Sequence, residues 1–297
     1  MTTKISLFLM TEKGFEVIKN LVAFAGNSNI ECVVSARDKN VQNDFFDEIE
    51  KFCTESGINF YLKDNFQIKE SKYCIAIGWR WLINLEEGRK LIVLHDALLP
   101  KYRGFAPVVS ALINGDKEIG CSAIFASEEY DTGDILVQKS FSVNYPIKIN
   151  DAIKIMGISY SEIVNELYIK ISSGQKLISI AQNNELASYS LWRDNTDYTI
   201  DWNLNADSIK RFIDAVGYPY AGALAYVGNE QIRIIEAEIQ QDVQIAIRDA
   251  GKVIFIKNDM PVIVCGQGLL KIVEMTTADG QPYKLKNFRS RFLKTPT

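Results

Sequence analysis

Residues 91–107 read LIVLHDALLPKYRGFAP, an apolar run that ends at the only histidine of the chain and continues into a loop containing proline, arginine and glycine. The apolar run at residues 91–94 is typical of a buried strand. His95 would then lie at the carboxyl end of that strand, where open α/β sheets bind their ligands. A lone histidine is more often a hydrogen-bonded structural residue than a catalytic one, so its neighbours must decide between the two roles.

The first half of the chain alternates short apolar runs with stretches of helical period. The predicted strands are residues 4–9, 30–36, 59–62, 73–77, 91–94 and 120–125. Residues 14–25 and 43–56 predict helices, and a longer helix is expected from about residue 150 to the Ser-Ser-Gly run at 172–174. This alternation indicates an α/β domain with a mostly parallel sheet covered on both faces.

The pattern changes near residue 190, after a polar stretch that resembles a bridge. The elements predicted beyond it are a helix at residues 206–216 and apolar runs at 231–237, 253–256, 262–265 and 269–273. These runs predict a small β-rich domain, a partial barrel. We therefore expect two domains, residues 1–190 and residues 191–297.

The composition excludes several classes of protein. Of the 297 residues, 47% are hydrophobic, which is enough for sizeable cores. The 33 basic and 37 acidic residues give a net charge of -4, unlike a chain that grips nucleic acid by its phosphates. No segment has the roughly 20 apolar residues of a membrane span. The first apolar run is short and suits a first strand better than a signal peptide, so we expect a cytoplasmic protein.

The five cysteines are widely spaced and form no C-x-x-C pair. Four of them lie in apolar, strand-like runs: Cys32, Cys74, Cys121 and Cys265. This pattern predicts reduced thiols in a core. Because the chain has one histidine and no clustered cysteines, the usual zinc sites cannot be assembled. A carboxylate-held Mg²⁺ stays open, but no pattern in the sequence indicates one, so we expect no metal.

A second motif follows the strand predicted at residues 120–125. Residues 128–134 read EEYDTGD, which alone would be an ordinary acidic surface turn. Together, HDALLPKYRG and DTGDI resemble the formyltransferases that use N10-formyltetrahydrofolate, whose signature is Asn-x-His-x-x-Leu-Leu-Pro, Tyr-Arg-Gly and Asp-Thr-Gly-Asp. The separation of His95 and Asp131 also matches the spacing in that family.

The resemblance extends into the second half of the chain. RD at 193–194, IDW at 200–202, Pro219 and GA at 222–223 are similar to the start of the carboxyl-terminal domain of methionyl-tRNA and sugar N-formyltransferases. The family implies a Rossmann-like formyltransferase domain followed by a small OB-like barrel. It also implies N10-formyltetrahydrofolate as cosubstrate, without a metal.

The resemblance further implies roles for individual residues. His95 would donate to the developing oxyanion or relay a proton, and Asp131 would orient the imidazole and help to remove the proton of the attacking amine. An apolar slot would receive the flat pterin ring. The residues predicted to form that slot are Gly78, Trp79, Trp81, Leu82, Leu98, Leu99 and Tyr102. For Trp79 and Trp81, plain core or lid packing is an equal alternative.

Two basic residues are candidates for binding an acceptor phosphate. Lys13 follows the first predicted strand, near the amides of a helix N-terminus. Arg103, in the YRG loop, could bind a phosphate or pair internally. The chain lacks both GxGxxG and GxxxxGK[ST], so it has no standard nucleotide-binding fingerprint.

One position departs from the family signature: Val93 stands where the family has Asn. Losing a comparable oxyanion donor typically costs about a hundredfold in rate. A backbone N–H, a water or a side chain such as Asn84 could compensate. Alternatively, the chain could be a catalytically silent binder of folate or of a nucleotide sugar, or a hydrolase that releases formate. A lesser departure is Ala97, where Ser is usual.

Two branches of the family share this two-domain layout and differ in their acceptor. Residues 193–297 hold 13 basic and 13 acidic side chains, and residues 1–192 hold 20 and 24, so neither half is a basic clamp for tRNA. We therefore predict a nucleotide-linked amino sugar destined for a surface polysaccharide as the acceptor. A local basic cluster keeps methionyl-tRNA as an alternative acceptor. Its members are Lys284, Lys286, Arg289, Arg291 and Lys294. The sequence fixes neither the sugar nor the oligomeric state, and a homodimer stays open.

Overall fold

The computed structural model describes residues 3–39, 41 and 43–297. The contacts of the chain divide it into two compact units, each made of several stretches. The first unit comprises residues up to 107, 118–142 and 151–191, and the second comprises 108–117, 143–150 and 192–297. The domain boundary between residues 190 and 191 stays a prediction.

The first unit is built on a seven-stranded sheet. The strands of this unit are β1 (Ile5–Leu9), β2 (Ile30–Ser35), β3 (Asn59–Leu62), β4 (Tyr73–Ile77), β5 (Lys90–His95), β6 (Arg103–Gly104), β7 (Glu118–Phe125), β8 (Ile135–Ser142) and β9 (Tyr189–Ser190). The sheet order is β3-β2-β1-β4-β5-β7-β8, and the short strands β6 and β9 pair with each other. Strands β1 to β5 run parallel, whereas β7 and β8 are antiparallel to their neighbours.

Among the described residues, five α-helices accompany the strands of the two units. They are α1 (Thr11–Ala25), α2 (Phe46–Glu55), α3 (Pro107–Asn114), α4 (Ile149–Ser172) and α5 (Ala206–Ala215). Helix α1 begins three residues earlier than predicted, and α3 and β8 were not predicted. Proline at the first position of α3 is a common helix start, because its fixed φ suits the first turn and no N–H is lost.

The order of the parallel strands places a crevice at one edge of the sheet. The chain reverses its direction of winding between β1 and β4, and ligands bind beyond the carboxyl ends of strands at such a point. Gly78 follows β4 with a φ of 65°. A Cβ atom on it would lie 3.1 Å from the Met10 carbonyl oxygen and 3.2 Å from Thr11 Oγ1, so only glycine fits without strain.

The second unit contains a six-stranded antiparallel sheet that forms a half-barrel. Its strands are β10 (Ala223–Val227), β11 (Glu230–Gln240), β12 (Val253–Lys257), β13 (Met260–Val264), β14 (Leu269–Thr277) and β15 (Phe292–Leu293), in the order β12-β13-β14-β11-β10-β15. The fold class predicted from the sequence is confirmed: a Rossmann-like, mostly parallel sheet is followed by a small β-rich barrel-like unit.

Segments distant in sequence complete the second unit. The Arg211 Nε of α5 donates to the Ile113 carbonyl oxygen of α3 at 3.3 Å. Lys148 and Lys210 both donate to the Glu236 carboxylate. The residues from 108–117 and 143–150 are therefore bound to the sheet unit by their own hydrogen bonds and ion pairs.

The five cysteines are all buried free thiols. Burial raises the pKa of both Cys53 and Cys74 to about 12, which disfavours the reactive thiolate. Within the described part of the chain, no cluster of three potential metal-binding side chains is present. No helix in that same part is long and apolar enough to cross a membrane.

Candidate active site

His95 is the last residue of β5, and only 8% of it is exposed. Its Nε2–H donates to the Tyr102 carbonyl oxygen at 2.8 Å. A carbonyl can only accept, so Nε2 must carry the hydrogen. The other nitrogen, Nδ1, lies 3.4 Å from Asp131 Oδ1 and is therefore the one that can exchange a proton with the carboxylate. The chain thus brings together two groups that lie far apart in sequence.

Asp131 is held in an unusual backbone conformation. Its φ is 56°, in the left-handed region that a non-glycine residue adopts only when its surroundings impose it. Its Oδ2 accepts a hydrogen bond from the Gly104 N–H at 2.8 Å. The YRG loop therefore contacts both members of the pair, through the Tyr102 carbonyl and the Gly104 amide.

The glycine of the DTGD motif is required by close packing. A Cβ atom on Gly133 would lie 1.7 Å from the Phe125 carbonyl oxygen, so no other residue fits there without moving the backbone. In contrast, Asp134 faces outward, where its Oδ2 accepts from Ser179 Oγ at 3.2 Å. Of the two aspartates of the motif, only Asp131 reaches the imidazole.

Lys13 lies in the first turn of α1 rather than in a loop before it. Its ammonium donates to Asp96 Oδ2, and the Tyr160 hydroxyl donates to Asp96 Oδ1. Only 12% of the Lys13 side chain is exposed. The Lys13 ammonium is therefore already paired inside the protein. Binding of an acceptor phosphate by Lys13 stays a prediction.

Next to His95, Asp96 and Tyr160 have displaced pKa values. Burial raises the pKa of the Asp96 carboxyl, but the Lys13 ammonium and hydrogen bonds from Lys13 and Tyr160 outweigh it, so this pKa lies below its usual value. Burial and the neighbouring Asp96 charge hold the pKa of Tyr160 well above its usual value. The cluster of Lys13, Asp96 and Tyr160 is therefore an ionised pair with a neutral phenol at neutral pH.

Replacing Asp96 by asparagine is expected to lower the free energy of unfolding by about 3 kcal/mol at neutral pH, because the buried Lys13 ammonium loses its counter-ion. The native pKa of Asp96 is lowered, so its stabilisation is present above the unfolded pKa of about 3.9 and is lost as the pH falls through the native pKa. Urea unfolding at neutral and acidic pH measures the difference, which should shrink in acid. A difference in unfolding free energy that stays constant with pH contradicts this explanation. Tyr160→Phe is the control, because it removes a hydrogen bond to Asp96 but no charge.

Arg103 pairs internally, which is one of the two roles left open by the sequence. The residue is 2% exposed. Its Nε and Nη2 donate to Gln182 Oε1 at 3.1 and 2.8 Å, and Nη2 also donates to Asn184 Oδ1 at 2.8 Å. A buried guanidinium with these partners is not available to a phosphate on the surface.

Gln182 was not predicted as a site residue. Its Nε2 donates to the carbonyl oxygens of Asp131 and Gly133, both at 2.7 Å. The sequence around it is polar and carries no motif, so nothing in a single sequence distinguishes this glutamine from an exposed linker residue.

The residues predicted for one wall of the pterin slot differ in exposure. Trp79 packs edge-on against Phe8 and Trp81, with ring centroids 5.2 and 5.5 Å apart, and so extends the core. Its Nε1 is buried, and no described group accepts a hydrogen bond from it. Trp81 and Leu82 are 40% and 83% exposed, so they offer apolar surface to a flat ring.

The residues predicted for the other wall follow His95 along the chain. Leu99 is 3% exposed, so little of its side chain is available to a ligand. Leu98 packs over Gly120, and Tyr102 has a φ of 59° that turns its carbonyl oxygen towards His95. The role of these three residues in binding a pterin ring stays a prediction.

Val93 lies where the signature has Asn. It is two residues before His95 on β5, so both side chains point to the same face of the sheet. Val93 packs there against an apolar cluster that includes Phe8, Cys74 and Ala76. Asn84, suggested as a substitute donor, is an exposed residue outside the regular elements.

Comparison with known proteins bears on this geometry. The family model described as formyl transferase matches residues 78–155, and the model described as formyl transferase, C-terminal domain, matches residues 194–293. The chain belongs to the formyltransferase family. The first match contains Gly78, His95 and Asp131, whereas Lys13 lies outside it.

The curated relatives of this chain include methionyl-tRNA formyltransferases. The protein from Syntrophomonas wolfei is 28% identical over 69% of this chain and 64% of its own length. The one from Thermodesulfovibrio yellowstonii is 28% identical over 80% and 78%, and the one from Wigglesworthia glossinidia brevipalpis is 32% identical over 64% and 58%. The chain therefore spans less than two thirds of the length of the first and third of these relatives.

Solved structures similar to this chain include sugar N-formyltransferases and related proteins. The N-formyltransferase from Helicobacter canadensis, in complex with folinic acid and dTDP-3-aminofucose, has a TM-score of 0.66 at 15% identity and covers 95% of this chain and 100% of its own. WlaRD, a sugar 3N-formyl transferase, has a TM-score of 0.67 at 17% identity over 92% and 97%. At these identities the similarity shows only that this chain has the same fold.

Proposed function

We propose that this formyltransferase transfers a formyl group from N10-formyltetrahydrofolate to the amino group of a nucleotide-linked amino sugar. The observation that carries the reaction class is the 3.4 Å approach of His95 Nδ1 to Asp131 Oδ1 at the carboxyl end of a central strand. The pair belongs to the matched family region, and it provides a group that can accept a proton beside one that can donate it.

Formyl transfer requires three chemical events. A neutral amine must attack the formyl carbon, the bond between that carbon and N10 of the folate must break, and the proton lost by the amine must end on N10. Asp131 is the acceptor for that proton, and His95 is the neighbour that stabilises charge and returns the proton. The Nε2–H bond to Tyr102 fixes the tautomer, so that Nδ1 alone does this work.

Binding of the folate depends on an apolar surface beside this pair. When bound, the folate supplies the formyl group. Trp81 and Leu82 are the exposed apolar side chains that would hold its flat ring. Gly78 keeps the end of β4 free of a side chain that would collide with Met10 and Thr11.

The charges of the second unit support a small acceptor over a tRNA. Three members of the basic cluster near the end of the chain are paired with acids of the same unit. These pairs are Lys286 with Glu230, Arg291 with Asp249, and Lys294 with Asp201. A surface that binds a polyanion needs basic charge in excess, and these pairs cancel it.

An acceptor assay tests the proposal. The protein is incubated with N10-formyltetrahydrofolate and dTDP-, UDP- or GDP-linked amino-deoxyhexoses, and mass spectrometry follows the gain of one formyl group. We expect at least one sugar to be formylated. Initiator methionyl-tRNA is assayed in parallel, because it is the acceptor named for the curated relatives; formylation of the tRNA alone would replace the sugar proposal.

Two further outcomes would overturn the proposal in different ways. Formate released without any amine would indicate a hydrolase. Folate binding without any formyl transfer would indicate a silent homologue. This outcome is tested because Val93 stands where the family has Asn, so an oxyanion donor is missing.

A further inference from the structure

The side-chain amide of Gln182 has four hydrogen bonds. Its oxygen accepts two from the buried guanidinium of Arg103, at 2.8 and 3.1 Å. Its nitrogen donates both of its hydrogens to backbone carbonyl oxygens, those of Asp131 and Gly133, at 2.7 Å each. An amide oxygen with two lone pairs and an NH₂ group with two hydrogens are thereby used fully.

The backbone fixes where this amide lies. Ile180 and Ile135 exchange two hydrogen bonds of 2.8 Å in an antiparallel bridge. Continuing this antiparallel register by two residues places Gln182 opposite Gly133, inside the DTGD motif. The segment after α4 thus adds to the edge of β8 and delivers one amide to the turn that holds Asp131.

Gln182 closes a ring of contacts around the site. His95 donates to the Tyr102 carbonyl oxygen, and Tyr102 is followed by Arg103. Arg103 donates to Gln182, which donates to the Asp131 carbonyl oxygen. The Asp131 side chain returns to His95. Each residue of the ring therefore restrains the next. Gln182 is the member that joins the Arg103 side chain to the backbone of the DTGD motif, beside the direct bond from the Gly104 N–H to the Asp131 carboxylate.

Asp131 needs such restraint. A left-handed conformation costs a non-glycine residue about 1–2 kcal/mol, so the backbone would relax if its carbonyl lost its partner. Rotation of this backbone would move the carboxylate away from Nδ1, whose 3.4 Å distance is already at the upper end of a useful contact.

We propose that Gln182 is a positioning residue that holds the Asp131 carboxylate in reach of His95. This inference rests on the proposed function only for its effect on turnover. Its structural part, the placement of a carboxylate beside the one imidazole of the chain, can be observed without any reaction.

The decisive variant is Gln182→Glu. A glutamate has the same shape and still accepts from Arg103, but it cannot donate to the carbonyl oxygens of Asp131 and Gly133 and repels them instead. We expect kcat to fall about 10- to 100-fold, with KM for folate and acceptor changed by less than about threefold, since misplacing a reacting group by about 1 Å has an effect of this size. Gln182→Met, which has no charge and no donor, should lower kcat similarly.

The matched control is Asn184→Asp. It makes the same change from amide to acid on a second partner of Arg103. Among the described residues, the hydrogen bond of the Asn184 side chain is the one that its oxygen accepts from Arg103 Nη2, outside the DTGD motif. Its kcat should stay within about threefold of the parent. Equal losses of kcat in both variants would show that the introduced charge acts on Arg103 alone and would overturn the proposal.

A second measurement separates this proposal from the proposed function. Because the chain has one histidine, the ring protons of His95 give a single set of imidazole resonances in NMR spectra. These should shift in folded Gln182→Glu and Gln182→Met but stay unchanged in Asn184→Asp. Unchanged resonances in folded Gln182→Met contradict the positioning role, whereas shifted resonances in a protein that formylates nothing leave it intact and refute the proposed function instead.

Discussion

Replacement of His95 by alanine is expected to lower kcat for formyl transfer by about 10²- to 10⁴-fold, the usual contribution of a positioned general acid or base. No second histidine exists in the chain to take over. Lys13 is bound to Asp96, the residue after His95, and cannot replace the imidazole without breaking a buried ion pair. Steady-state kinetics with the acceptor found by the assay measure the effect.

The His95→Ala variant must be shown to be folded, because the side chain it removes is only 8% exposed. Urea unfolding and binding of a non-reactive folate serve as controls, and both should be close to those of the parent. Added imidazole should restore part of the activity by entering the space left by the ring. A folded variant with a kcat within about tenfold of the parent would remove His95 from the catalytic role.

Replacement of Asp131 by asparagine is expected to lower kcat by about a hundredfold or more. The amide oxygen can still accept from the Gly104 N–H, so the loop should keep its structure. The amide NH₂ would face Nδ1 of His95 as a donor, and the site would lose its proton acceptor. The substitution therefore changes the chemistry of the pair at nearly constant shape.

Asp134→Asn provides the matched control for Asp131→Asn. Both residues belong to the DTGD motif, and both substitutions remove one negative charge. Asp134 accepts a hydrogen bond from Ser179 and does not reach the imidazole. We expect kcat for Asp134→Asn to stay within about threefold of the parent. If the two variants lost activity equally, the loop as a whole rather than the Asp131 carboxylate would be responsible.

The parts of the fold that follow from local pattern could be predicted from the sequence. The apolar run at 74–77 is buried on both faces of a parallel sheet, and the run at 91–94 is buried on one face and half-buried on the other, which leaves a strong signal. Strand β8 was missed because it alternates half-buried and exposed residues at the edge of the sheet and contains Lys139 and two serines. The motif around His95 could be recognised because its residues are close together in sequence, and its catalytic role stays a prediction.

The partners of the charged residues could not be predicted from the sequence. Lys13 pairs with a residue 83 positions away, and Arg103 with one 79 positions away. Local pattern carries no trace of such pairs, so both cations were candidates for binding a phosphate, and internal pairing was considered only for Arg103. Gln182 was missed for the same reason, because its importance comes from the four groups around it.

The interleaved make-up of the second unit has a consequence for building chimaeras between relatives. Ile113 and Lys148 reach residues of the half-barrel unit through Arg211 and Glu236, although a conventional swap at residue 190 would leave them behind with the other parent. A grafted carboxyl-terminal half would then meet foreign partners at both points. Recombination that exchanges residues 108–117 and 143–150 along with it would keep these native pairings.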